Sequence, residues 1–137
     1  MNYWLMKSEP GAYSWDDLTK KKTDVWSGVR NYAARLHLRA MKKRDLALFY
    51  HSGDESQIVA IAKITKEAYP DPTATEGDWT AVDVTAVKKL KKPVTLKQVK
   101  AEKSLLDMAL VKISRLSVSP VTEFQFFKIL DMGETKI

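Results

Sequence analysis

The chain has 137 residues, 45% hydrophobic and 29% charged, a composition that suits an ordinary globular protein with one core. It has no cysteine, so disulfides, thiolate metal sites and cysteine nucleophiles are excluded together. Lys and Arg number 23 against 17 Asp and Glu, and the net charge of +6 favours polyanions without naming one. The apolar start Met1–Lys7 is too short for a signal peptide, and no run approaches the length of a membrane span. Residues 1–137 are therefore read as a single domain of a cytoplasmic protein, with a monomer favoured.

Tyr3–Lys7 predicts a first strand that ends at the turn cluster Ser8-Glu9-Pro10-Gly11. Ser14, with an acid at Asp17, predicts a short capped helix, and Lys20–Lys22 reads as a solvated loop. Trp26-Ser27-Gly28-Val29-Arg30-Asn31-Tyr32 then groups an indole, a glycine, directional hydrogen-bonding side chains and the start of a helix. Such parts can grip a planar polar ring or an anion. Two readings stay open here: a ligand-facing Trp26 beside Arg30, or a core tryptophan beside a solvated arginine.

Tyr32–Lys43 carries a helical stripe of Ala33, Leu36 and Ala40, while Arg35 and Arg39 line one face with Lys42 or Lys43. That basic face suits either solvent or phosphate contacts. Leu46–Tyr50 predicts a strand buried on both sides, and Gln57–Lys66 its hairpin partner. Tyr69–Asp78, with two prolines and a glycine, predicts the longest loop. Strand character returns over Trp79–Leu90 and ends at Pro93. Thr95–Gln98 and Ser104–Asp107 predict short helix starts, and Leu110–Val118 predicts a late strand. The capping box Thr122–Gln125 opens a last helix that ends near Gly133. Strands with few regular βαβ units point to an α+β fold, a small, mixed, mainly antiparallel barrel flanked by short helices.

No Gly-rich phosphate loop is present, and two histidines without cysteine give no metal site, so no metal and no cofactor are expected. His51 beside Ser52 leaves a triad conceivable, and Lys7 beside Ser8 a lysine base with its serine, although strand ends and turns explain both pairs more simply. What remains is a binding constellation. Lys7 and Ser8 close one strand, Trp26–Tyr32 open a helix, His51 and Ser52 close another strand, and Arg115-Leu116-Ser117-Val118 add a fourth element.

Five blocks in order, Tyr3–Pro10, Trp26–Tyr32, Phe49–Ser52, Tyr69–Asp71 and Arg115–Val121, resemble the EVE domain over essentially the whole chain. The resemblance implies a PUA-like fold related to the YTH and ASCH domains. It also implies a reader of modified DNA or RNA bases rather than an enzyme. By that resemblance Trp26 is the stacking residue of an aromatic pocket. Lys7, Ser8, Gly28, Val29, Arg30, Asn31, Tyr32, His51, Ser52, Leu116 and Ser117 are expected around it, and Arg35 and Arg39 at phosphates. Ala33 and Ser119 stand where the family often has glutamine, and Arg44 where it often has glycine. Alternatives to the nucleic-acid reader are an ASCH-like enzyme on a nucleoside- or amide-like molecule and a methyl-lysine or other protein-interaction module.

Overall fold

Two apolar runs, β1 (Tyr3–Ser8) and β3 (Leu46–His51), lie side by side and parallel in the computed structural model, which describes residues 1–137. Every other pairing is antiparallel. With β2 (Thr23–Trp26), β4 (Gln57–Pro70), β5 (Thr80–Thr95) and β6 (Val118–Val121), they form one sheet in the order β2-β5-β4-β3-β1-β6. β1 and β3 are apolar on both faces because both faces are covered. Trp4, Met6, Ala47 and Phe49 enter one core, whereas Tyr3, Leu5, Leu48 and Tyr50 enter the other.

Each core has its own helices. α1 (Trp15–Lys21) contributes Trp15 and Leu18 to the first, and α2 (Tyr32–Ala40) contributes Ala34 and Leu38. α3 (Leu96–Ala101), α4 (Ala109–Lys112) and α5 (Glu123–Met132) bring Val99, Leu110, Phe126, Ile129 and Leu130 to the second. The capping boxes at Ser14, Thr95 and Thr122 all form, each side chain accepting from the third helical N–H.

The expected barrel does not close. β2 pairs only with β5 and β6 only with β1, so the sheet keeps two free edges. Both edge strands are four residues long, and β6 carries Pro120, which has no N–H to offer a further strand. Leu110–Val118 is likewise not one strand. A helical turn buries Leu110 in the second core and leaves Ile113 exposed, and pairing starts only at Val118. Pro93 does not end β5, and it falls where the β4–β5 register jumps from Ala60↔Lys89 to Ile58↔Val94, so no ladder bond is lost. α2 ends at Ala40 rather than Lys43, because the Lys42 N–H turns to the buried Asp45 carboxylate at 2.9 Å. Arg44 in that turn has φ 78°, the left-handed region that glycine occupies most easily.

Candidate functional site

The first core opens at one end into a cleft of about 550 Å³. It gathers the end of β1 (Lys7, Ser8, Glu9), the turn before α1 (Ala12, Tyr13), β2 and the following loop (Asp24–Arg30), and Ser117. β1 and β6 are held together past their pairing by the Lys7 N–H, which donates to the Ser117 carbonyl at 2.9 Å. The cleft therefore lies beyond the carboxyl end of β1, where the chain leaves the sheet.

Trp26 is a core residue that also borders the cleft. It is 9% exposed and meets the Phe49 ring edge-on at 5.5 Å and 85°, as a core residue does. It also forms part of the cleft wall. Asp24 precedes it by two residues on β2, so both side chains share one face of the strand.

The loop after β2 is tied down by a carboxylate from the distant Asp71. Asp71 accepts the Gly28 N–H at 2.8 Å, Arg30 Nη1 at 2.9 Å, and the Thr73 N–H and hydroxyl at 2.8 and 2.7 Å. Burial alone would raise this carboxyl, but the Thr73, Gly28 and Arg30 donors outweigh it and hold it at about 2. Gly28 sits at φ +82°, with open space where a Cβ would stand. Its conformation, not crowding, is what favours glycine.

Two further groups set the polarity of the cleft. The Tyr13 hydroxyl donates to Asp24 Oδ2 at 2.6 Å, and the Val25 N–H donates to Oδ1 at 2.8 Å. Desolvation opposes ionisation of Asp24, yet the Tyr13 and Val25 donors and nearby Lys21 keep its carboxyl below the usual range. Tyr13 is pushed up by burial and by that same carboxylate. Lys7 Nζ donates to the Ser114 carbonyl at 2.8 Å and lies 5.7 Å from the Tyr50 ring centroid, and burial lowers its ammonium.

Of the residues expected in the site, the cleft brings together Lys7, Ser8, Trp26, Gly28, Val29, Arg30 and Ser117. The others are elsewhere, and each has another partner. Asn31 caps α2 by accepting the Ala34 N–H at 2.9 Å. Tyr32, 69% exposed, stacks on Trp79 at 5.2 Å and 27°. His51 is buried, with Nε2 accepting the Trp15 N–H at 3.0 Å and Nδ1 facing Glu55 at 2.9 Å, so it anchors α1. The Ser52 N–H donates to the Ser8 carbonyl at 2.9 Å, and Leu116 packs in the first core.

Arg35 and Arg39 dock α2 onto the loop between β4 and β5. Arg35 donates to the Asp78 carbonyl at 2.8 Å and lies over the Tyr32 and Trp79 rings at 4.9 and 5.3 Å. Arg39 donates to Thr80 Oγ1 at 2.9 Å and pairs with the Asp78 carboxylate, also at 2.9 Å. Tyr13, Asp24 and Asp71 are parts of the site that the sequence reading missed. Tyr13 and Asp24 bond across 11 residues and Asp71 bonds Arg30 across 41, so no local pattern announces either.

Comparison with known proteins agrees with this architecture. The EVE domain model matches residues 2–132. The chain is 51% identical to Rpa0253 from Rhodopseudomonas palustris, whose structure superposes with a TM-score of 0.92, covering 98% of this chain and 94% of that one. It is 41% identical to mouse thymocyte nuclear protein 1, covering 98% of this chain and 75% of the relative. Human THYN1, solved in complex with DNA containing 5-methylcytosine, is 37% identical with a TM-score of 0.89 and full coverage of both chains. An ASCH protein from Zymomonas mobilis, 9% identical with a TM-score of 0.60 over 96% of this chain and 95% of its own, shares the fold alone. A whole-length family match, close relatives and the same sheet converge: the chain belongs to the EVE domain family.

Proposed function

We propose that this protein is a nucleic-acid-binding reader that admits one modified, extruded or single-stranded base into the cleft beside Trp26. The observation that carries the proposal is the cleft itself. It has about 550 Å³ of space against an aromatic wall, with Lys7 at its side, in a chain of net charge +6. The DNA complex of the human relative supports the choice of ligand class. In this reading Trp26 and Tyr13 contact the base, the Ser27–Val29 backbone shapes the opening, and Lys7 and Arg30 face the sugar-phosphate. Arg35 Nη2 and Arg39 Nη1, which make no hydrogen bond within the protein, would meet phosphate while Arg35 Nη1 and Arg39 Nε and Nη2 hold the Trp79 loop.

A binding role is also supported by how the nucleophile and base candidates are engaged. The Ser8 hydroxyl donates to the Tyr13 carbonyl, the Lys7 ammonium to Ser114, and His51 lies in the α1 anchor. These groups do not converge on a common point of the cleft.

Stacking one base on an aromatic ring contributes about 1–3 kcal/mol, and extruding it from a duplex costs a few kcal/mol, roughly the same. Phosphate contacts must therefore supply the net affinity, and binding is expected to fall steeply with salt. The test is titration of single-stranded and duplex oligonucleotides, with and without one 5-methylcytosine, at two salt concentrations. Trp26→Phe keeps a ring in the core, is expected to lower the melting temperature by a few degrees, and should weaken binding several-fold when measured well below it. Trp26→Ala would also remove a buried core ring, about 3–5 kcal/mol, and confound the result. Equal affinity of wild type and Trp26→Phe for every oligonucleotide would overturn the stacking role.

A further inference from the structure

The base-binding reading gives no task to the Asp24 carboxylate, yet it stands in the cleft two residues from Trp26. Each of its oxygens is used once within the protein, Oδ2 by the Tyr13 hydroxyl and Oδ1 by the Val25 N–H. Lys21 approaches Oδ2 at 3.6 Å from the exposed end of α1. A carboxylate has about four lone-pair sites, so acceptor capacity remains on both oxygens. The side chain is 21% exposed, enough for a ligand to reach it.

A carboxylate in a partly desolvated cleft repels a phosphate, so the group that enters beside it is not the nucleic-acid backbone. What a carboxylate does favour is an N–H donor, in a charge-assisted hydrogen bond. An exocyclic amine on a flat ring supplies that donor. Thymine and uracil match poorly, because their one N–H lies between two carbonyl oxygens that would both face the carboxylate.

Building on the base-binding reading above, we propose that Asp24 determines base specificity by accepting a hydrogen bond from the exocyclic amine of the bound base. The cleft thus takes amino-bearing bases and disfavours thymine and uracil. Tyr13 is the positioning residue that fixes the carboxylate rotamer through its hydroxyl.

The test uses the full chain and single-stranded oligonucleotides with one central variable base. That base is 5-methylcytosine, the same ring with hydrogen in place of the amine (5-methyl-2-pyrimidinone), or thymine. A hydrogen bond to a charged group corresponds to about 10-fold or more in affinity. Wild type is expected to lose that factor on removal of the amine and at least as much with thymine. Asp24→Asn keeps the shape: its amide oxygen can accept from the Val25 N–H while its NH2 donates to the Tyr13 hydroxyl oxygen. It is expected to bind the amine-containing and amine-free oligonucleotides within about twofold of each other. Tyr13→Phe retains Asp24 and is expected to keep part of the preference. This coupling between one side chain and one base substituent is a readout that a merely structural Asp24 would not move.

Equal binding of both methylpyrimidines by wild type, with Trp26→Phe still weakening both, overturns the role of Asp24 and leaves base binding standing. No effect of Trp26→Phe on any oligonucleotide overturns both. Binding of a trimethyl-lysine peptide that Asp24→Asn abolishes, with no oligonucleotide preference, would reassign the acidic wall to a cationic peptide.

Discussion

At Asp71 four donors converge on one fully buried carboxylate, and two of them belong to the loop that rims the cleft. Its folded value of about 2 lies below the ordinary value of 3.8, so the ionised form favours the folded state. The contribution is complete above about pH 4 and is lost as pH falls towards 2, and it amounts to on the order of 2 kcal/mol. Asp71→Asn is expected to lower stability at pH 7 by about 2–3 kcal/mol. That is less than for a fully buried pair, because Arg30 is 39% exposed on its own side. The difference from wild type should shrink between pH 4 and 2, as urea titrations at several pH values would show. Tyr69–Asp71 stood among the blocks of the family resemblance, but this role of Asp71 was not legible beforehand. Asp71 stood in a stretch with every mark of a surface loop, and its partners lie 41 and 43 residues earlier. Trp26 and Gly28 were legible because an indole beside a glycine is unusual in either a plain strand or a plain turn.

Among the elements, the helices were easiest to read wherever a cap was written into adjacent residues. Ser14, Thr95 and Thr122 each accept from an N–H three positions on, and all three helices begin where those residues stand. Asn31 shows the ambiguity of the same chemistry. A side-chain amide before a helix can read a ligand or cap the helix, and here its oxygen is engaged by the Ala34 N–H. Asn31→Ala is accordingly expected to lower stability by about 1 kcal/mol. Base preference should stay unchanged; thermal melts beside the oligonucleotide titration separate the two, since a base-reading amide would shift preference as well. Leu110–Val118 was misread for a related reason. Its apolar, β-branched composition suits a strand, but a single helical turn buries Leu110 and Val118 in different cores.

For the molecule as a whole, one sheet separates two cores, and only one of them reaches the cleft. Phe49 belongs to the first and touches Trp15, Trp26 and His51 edge-on, while Phe126 belongs to the second, packed on Tyr3 and Phe127. Both rings are fully buried, so Phe49→Leu and Phe126→Leu should destabilise comparably, by about 1–3 kcal/mol. Oligonucleotide affinity measured well below the melting point should fall for Phe49→Leu and hold for Phe126→Leu. The mixed, mainly antiparallel character was legible from consecutive apolar runs with few helices between them. Closure was not, because it depends on whether the two end strands meet, which no local pattern encodes. The order β2-β5-β4-β3-β1-β6 has one more consequence, for biosynthesis. The strand made first is flanked by one made some forty residues later and by another near the far end of the chain. As the polypeptide emerges, β3 can cover one edge of Trp4, Leu5 and Met6, but their other edge stays open and adhesive until Val118–Val121 arrive. Such late, long-range closure slows folding and makes the opening segment the part of the nascent chain most exposed to mispairing.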